Sequence, residues 1–257
     1  MPWMPIAITR KLSPAITRCE LTHLDRVPID VARAEAQHEA YERALSKLGC
    51  WVLSLPPEPD LPDAVFVEDT AVVVDEVAVI TCPGAGSRRE ETASVATVLA
   101  KYRPVAAIEA PGTLDGGDVL RLGRRFFVGL TGRTNREGID QLRSLLAPHG
   151  YTVDGVPVRG CLHLKTAVTQ VASDAVLVNP DWVDPEAFAG YTRMRVHPAE
   201  PFGANALLVG ESVIYPEAFP HTANQLSNAG IDLLAVDVSE LAKAEGAVTC
   251  CSIILNG

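Results

Sequence analysis

Short apolar runs alternate with polar turns along most of the chain, and from Val65 onward the alternation recurs as a unit. In the first copy Glu68-Asp69 precedes the apolar run Ala71 to Val74, a turn at Asp75-Glu76 and a second run from Val77 to Thr81. Two such runs about a tight polar turn predict a β-hairpin. A helical pattern near Glu90 to Tyr102 and a strand at Val105 to Ile108 complete the unit. The second copy has Asp115-Gly116-Gly117-Asp118, strands at Val119 to Leu122 and Phe126 to Leu130, a helix from Asn135 to Leu146 and a strand from Tyr151 to Val156. The third opens at His163, with strands Ala167 to Val171 and Ala175 to Val178. The fourth opens at Ala204-Asn205, turns at Gly210-Glu211 and ends with Leu233 to Val238. Each first strand is expected to carry its polar marker at its start. The markers Glu68, Asp115, His163, Asn205 and Cys250 are spaced by 47, 48, 42 and 45 residues, a period typical of repeat architectures.

The fifth copy is cut short, because Cys250 to Leu255 supplies one strand and the chain then stops. The missing pieces lie at the other end. Ile6 to Thr9 reads as a strand, Asp30 as the cap of a helix from Val31 to Leu48 ended by Gly49, and Trp51 to Leu55 as another strand. Joining the termini completes a fifth unit and closes a ring, so that no terminal module is left with unpaired edges. The expectation is a single α/β domain over residues 1–257 whose last module is closed by both termini. The ring brings Glu68, Asp115, His163 and Cys250 together on its axis. A generic α/β domain with accidental spacing is the other reading of the pattern.

The chain of 257 residues is long enough to bury a sizeable core, and its 47% apolar and 21% charged content is that of a folded protein. A net charge of −10 argues against nucleic acid or an anionic membrane as partner and permits a small cationic ligand. No apolar run is long enough for a membrane span, and no signal peptide is visible. The six cysteines contain no C-x-x-C pair, which fits a reducing cytoplasm. No zinc-ligand spacing, P-loop or G-x-G-x-x-G is present, so no metal or nucleotide cofactor is expected.

Cys250 and Cys251 are adjacent, and strand alternation would turn only one of them to the axis. Cys250 is in register with the other markers, which leaves Cys251 for the packed side. Two buried core thiols are the alternative. His163 reads either as a hydrogen-bonded core residue or as an axial acid–base. The Asp115-Gly116-Gly117-Asp118 run reads as a turn, or as a place where glycine admits a close approach. Asp63, Glu68 and Asp69 interrupt an apolar stretch, where carboxylates need cationic partners, internal or bound. Arg88, Arg89 and Arg133 follow loops and read as solvated charges or as anion contacts.

Leu61-Pro62-Asp63 with Phe66-Val67-Glu68-Asp69, Thr113-Leu114-Asp115-Gly116-Gly117-Asp118, Leu162-His163-Leu164-Lys165 and Thr249-Cys250-Cys251-Ser252 together resemble the dimethylarginine dimethylaminohydrolase family. The resemblance runs from Ile6 to Leu255 and is strengthened by Ser87-Arg88-Arg89 and Arg133-Thr134-Asn135. It implies a five-bladed α/β propeller (pentein) of ββαβ modules around a central active site. It also implies hydrolysis of Nω-methylated arginines to citrulline and a methylamine, with a methylated arginine as the cationic partner. Cys250 would be the nucleophile, His163 the general acid and base, and Asp115 its orienting carboxylate. Leu21, Asp63, Glu68, Asp69, Arg88, Arg133 and Ala244 would contact the substrate, with Arg88 and Arg133 on its α-carboxylate. No cofactor is implied, and monomer and homodimer both remain open. The segment from about Lys11 to Pro28 would be an active-site lid. Arginine deiminases share the resemblance in part, but typically have Glu-Gly-Gly-Asp and His-Leu-Asp where this chain has Asp115-Gly116-Gly117-Asp118 and His163-Leu164-Lys165. An arginine or agmatine deiminase, and a non-enzymatic binding propeller, are the alternatives.

Overall fold

The structure, a computed structural model, describes residues 4–256. Residues 1–3 and 257 of the expected 1–257 domain lie outside the described residues. Five three-stranded sheets are arranged in sequence order, and in each the middle strand pairs antiparallel with the first and parallel with the last. The first blade comprises Ala71–Val73, Ala78–Ile80 and Val105–Ala107, with the helix Glu91–Leu99. The second comprises Val119–Leu122, Arg125–Leu130 and Thr152–Pro157, with the helix Arg136–Leu146. Strands Val168–Ala172, Ala175–Val178 and Thr192–Arg195 form the third, where the helix is reduced to the single turn Pro185–Phe188. Strands Leu207–Val209, Ser212–Pro216 and Asp232–Val236, with the helix Pro220–Asn228, form the fourth.

The fifth blade is built from both ends of the chain. Ile6–Arg10 pairs antiparallel with Ile253–Leu255 and parallel with Trp51–Leu55, in the register Ile6↔Leu255 and Ile6↔Trp51. Its helix, Val31–Lys47, starts where the Asp30 carboxylate accepts the Arg33 N–H. Among the described residues no helix is long and apolar enough to cross a membrane.

Apolar side chains gather in five clusters, each shared by two neighbouring blades. Phe126 packs toward the first blade with Val72 and Val79, while its neighbour Phe127 packs toward the third with Val176 and Phe188. A strand's two faces thus serve two cores, which explains why the strands read as continuous apolar runs. The five first strands all line one axial channel of about 500 Å³, contributing Val72, Val119, Thr169, Leu207 and Ile253 among others.

The polar markers do not sit on strands, as the sequence pattern suggested. Glu68 and Asp69 lie on the single helical turn Val67–Thr70, Asp115 precedes the turn Gly116–Asp118, and His163 precedes the turn Leu164–Ala167. Cys250 and Cys251 lie in a turn before the strand Ile253–Leu255, so strand alternation does not separate them. The N–H groups these turns leave free are taken by neighbouring blades and carboxylates: Glu68 donates to the Cys250 carbonyl, Gly117 to Asp69 and Leu164 to Asp118.

Candidate active site

His163 is held by the short turn that follows it. The Leu164 N–H donates to Oδ1 of buried Asp118 at 2.9 Å, and Asp118 Oδ2 accepts from Thr131 Oγ1 at 2.7 Å. The buried imidazole places Nε2 3.1 Å from Asp115 Oδ2 and Nδ1 3.9 Å from Asp69 Oδ1. Asp115 is fully buried, and its Oδ1 accepts the Gly84 N–H at 2.8 Å. Asp69 accepts the Gly117 N–H at 2.8 Å and Arg88 Nη1 at 2.6 Å. A Cβ on Gly117 would stand 2.5 Å from His163 Nδ1 and 2.8 Å from Asp69 Oδ1, so this position requires glycine. Three residues of the Asp-Gly-Gly-Asp run therefore act on one ring: Asp115 touches it, Gly117 holds Asp69, and Asp118 pins its turn.

Cys250 is half-buried on the facing loop. Its carbonyl accepts the Glu68 N–H at 3.1 Å, which joins the fifth blade to the first. Behind it, Thr249 donates its hydroxyl to Glu68 at 2.9 Å, while its N–H and hydroxyl bond the Asn205 side chain at 3.1 and 3.0 Å. Asn205, the marker of the fourth blade, thus braces the loop that carries the thiol. Cys251 is buried in the core between the fourth and fifth blades, with its sulfur 3.5 Å from the Ala247 carbonyl.

The carboxylates set the protonation state. Burial opposes a charge on His163, but Asp69, the hydrogen bond to Asp115, and Asp118 outweigh it and raise the imidazole pKa to about 9. Burial would likewise favour neutral Asp69, yet His163 and Arg88 hold it down at about 2. Burial and the Glu68 and Asp69 carboxylates push the Cys250 thiol up to about 12. At neutral pH the resting pair is therefore an imidazolium and an undissociated thiol. Asp69, Asp115 and His163 offer three ligand atoms within 4.8 Å of one another. A metal there would have to displace the proton that gives His163 its charge.

Asp63, Asp69, Arg88, Arg133, His163, Ala244 and Cys250 line one narrow cleft. Asp115 stands behind the His163 ring, outside the lining. Glu68 faces the axial channel instead, where its carboxylate pairs with Lys165 Nζ at 2.5 Å. Lys165 is one of the two residues, with Asp115, at which the sequence departs from the deiminase pattern. Leu21 is half-buried against the core between the fourth and fifth blades, and its neighbours Glu20 and Thr22 reach the cleft's surroundings. Arg88 is buried with its donors already engaged by Asp69, by Glu91 at 2.8 Å and by the Phe66 carbonyl at 3.1 Å. Arg133 is more open: Nη1 lies 3.6 Å from Asp115 and Nη2 donates to Thr22 Oγ1 at 3.0 Å.

Sequence reasoning missed Glu20, Phe66, Leu162, Glu245 and Gly246, which also line the cleft. Gly246 carried only the signal of a glycine just before Cys250; the structure gives its reason, since a Cβ there would overlap the Phe66 ring. Glu20 and Glu245 carried none, because a charge in a polar loop reads as solvated. The segment from Lys11 to Pro28 covers the site: Glu20 accepts from Ser87 at 2.6 Å, and its N–H donates to Asp63 at 3.0 Å. With this segment in place the cleft holds only about 20 Å³, room for about one water. A more apolar cavity of about 230 Å³ adjoins Cys250 on its other side, between Leu24, Leu162 and Phe219.

Comparison with known proteins gives a consistent picture. The arginine deiminase family model matches residues 57–200. An N(G),N(G)-dimethylarginine dimethylaminohydrolase of Streptomyces coelicolor is 41% identical over 253 residues, covering 97% of this chain and 96% of that protein. A dimethylarginine dimethylaminohydrolase of Pseudomonas aeruginosa, solved as a cysteine-to-serine variant with citrulline, superposes with a TM-score of 0.91 at 34% identity, covering 98% of this chain and all of that one. A histidine-to-glycine variant solved as an adduct with S-methyl-L-thiocitrulline superposes with a TM-score of 0.92 at 33% identity, covering 98% and 100% of the two chains.

Proposed function

The chain belongs to the dimethylarginine dimethylaminohydrolases of the arginine deiminase family, and from that premise we propose that it hydrolyses Nω,Nω-dimethyl-L-arginine, and the monomethyl form, to citrulline and dimethylamine or methylamine. One observation carries the reading: a thiol, an imidazolium and two buried carboxylates share a cleft that also presents an arginine. We take residues 1–257 as one propeller domain acting in a reducing cytoplasm, which its six free thiols suit.

The guanidinium enters beside Asp69 and Asp63, both buried in the cleft wall; Asp63, whose carboxylate accepts the Glu20 N–H, is the one that burial leaves in want of a cation. The guanidinium charge stabilises the Cys250 thiolate next to it, which lowers a thiol pKa that the carboxylates otherwise raise. The thiol proton leaves to solvent as the substrate binds, and the sulfur attacks the guanidinium carbon to give a neutral tetrahedral adduct. His163 protonates the dimethylamine as its C–N bond breaks, and a thiouronium remains on Cys250. Neutral His163, still oriented by Asp115, then takes a proton from water as its oxygen attacks the same carbon. The C–S bond breaks as the new hydroxyl gives its proton to the departing sulfur, releasing citrulline and the thiol. The lid excludes bulk water from the charged pair.

Arg88, in the cleft wall, serves this site by fixing Asp69, since its donors are already engaged. Arg133 is assigned the substrate α-carboxylate, because it faces the cleft, its contact with Asp115 is long at 3.6 Å, and its other partner, Thr22, belongs to the segment that covers the site. Arg133→Ala is therefore expected to lower kcat/KM for dimethylarginine about 10- to 150-fold, the range of a desolvated charge-assisted bond. The decarboxylated analogue should lose much less. Equal losses on both substrates would make Arg133 a structural residue and count against an amino-acid substrate.

The resting protonation states predict a pH dependence. Attack needs one proton fewer than the imidazolium–thiol pair carries, so kcat/KM should rise about tenfold per unit from about pH 6 to about pH 8, both below the His163 value of about 9. The bound guanidinium helps ionise the thiol, so kcat should vary less steeply over the same range. A kcat/KM flat across that range would contradict the assignment.

A further inference from the structure

We propose that Glu245 is the latch of the lid and sets how often the cleft opens, an inference that builds on the reading of the cleft as the substrate site. Glu245 has φ +58°, the one non-glycine residue in the left-handed region among the described residues. A glutamate does not favour that conformation, and such residues persist where their surroundings over-determine them. Here the surroundings are the lid itself. Oε2 accepts the Thr22 N–H at 3.0 Å, and Oε1 accepts the His23 and Leu24 N–H groups at 2.5 and 2.7 Å. Three successive backbone donors converge on one carboxylate, as they do around a bound anion.

Little else holds the tip of the lid. Thr22 to Pro28 are all exposed, so apolar burial contributes little there. Arg26 bonds within the lid, to the Thr17 and Cys19 carbonyls. The remaining ties to the body are Thr22 with Arg133 and the Pro28 carbonyl with Lys243, at 3.0 and 3.1 Å. Glu245 itself stands on rigid ground, because Gly246 is pressed under the Phe66 ring and the chain then runs directly into Cys250. With the lid down the cleft admits about one water, so substrate must wait for the tip to lift. A latch that grips the lid equally with and without ligand changes the rates of admission and release more than the affinity.

Two variants separate the latch from a substrate contact. Glu245→Gly removes the carboxylate and suits the left-handed backbone, while Glu245→Gln keeps one acceptor oxygen without the charge. Two rates are measured on the full chain without substrate: amide hydrogen exchange over residues 22–24, and alkylation of Cys250 by iodoacetamide, located by peptide mass mapping. In Glu245→Gly both should rise at least tenfold with no fall in melting temperature, and Glu245→Gln should be intermediate. Unchanged exchange and alkylation would overturn the latch. Unchanged rates with weakened citrulline binding would place Glu245 among the substrate contacts instead. Should Glu245→Gly fail to fold, Glu245→Gln carries the same two readouts. Neither rate depends on turnover, so a wild-type protein inactive on dimethylarginine would remove the proposed function and leave the latch standing.

Discussion

Cys250→Ser is expected to lower turnover of dimethylarginine by on the order of 10⁴-fold or more, with the fold intact. A guanidinium carbon is a weak electrophile, and a serine hydroxyl in the same place is a far poorer nucleophile than a thiolate. The cleft offers no substitute, since the other residues that line it with Cys250 are carboxylates, arginines, His163 and apolar groups. Cys251→Ser is the matched control. Its thiol is buried in the core between the fourth and fifth blades, away from the cleft, so most of the turnover should survive. A haloamidine reagent that mimics the guanidinium should label Cys250 and not Cys251. Steady-state rates and peptide mapping of the two variants check this, and equal loss in both would reject Cys250 as the nucleophile.

The second large effect concerns stability. Arg88 is buried between Asp69 and Glu91, and its removal would leave Glu91 without its cation and Asp69 with the His163 imidazolium alone. Breaking a buried pair from one side costs about 3–5 kcal/mol, on the order of 10 °C in Tm for a chain of this size. Arg88→Ala should show that loss in thermal and urea unfolding, and lose activity through a displaced Asp69. Its neighbour Arg89 is exposed and donates only to the Pro83 carbonyl at 3.1 Å, so Arg89→Ala should stay within about 0.5 kcal/mol of the parent. If the two variants unfold alike, Arg88 is not the brace of the first blade. The contrast also bears on the expected α-carboxylate clamp, because an Arg88 free to bind substrate would not be needed for folding.

The ring was legible in the sequence because each blade repeats one hairpin between apolar faces. Phe126 and Phe127 show the reason: alternation in a strand buried on both sides produces the continuous apolar run that marks every copy. The marker spacing likewise picked out Cys250, His163 and Asp115, which the turns leading into the first strands bring together, but it marked Glu68 rather than Asp69. What the pattern did not reveal was the direction of a side chain once it arrived there. Glu68 and Asp69 are adjacent, yet a helical turn sends Asp69 to the cleft and Glu68 to the axial channel and Lys165. Strand reasoning at Cys250 and Cys251 met the same difficulty, because both lie in a turn. Arg88 shows a different gap: its sequence position after a loop is that of a solvated charge, and only packing brings Asp69, Glu91 and the Phe66 carbonyl around it. Glu245 left no trace at all, since its partners are backbone N–H groups more than 220 residues away.

Product analysis with three substrates tests the central assignment most directly. The purified protein is incubated separately with asymmetric dimethylarginine, arginine and agmatine, and citrulline, carbamoylputrescine, dimethylamine and ammonia are quantified. Citrulline and dimethylamine in equal amounts from dimethylarginine, with kcat/KM well above that for the other two, is the expected result. A preference for arginine with release of ammonia, or for agmatine with formation of carbamoylputrescine, would contradict it, and no product from any of the three would leave the propeller a binding module.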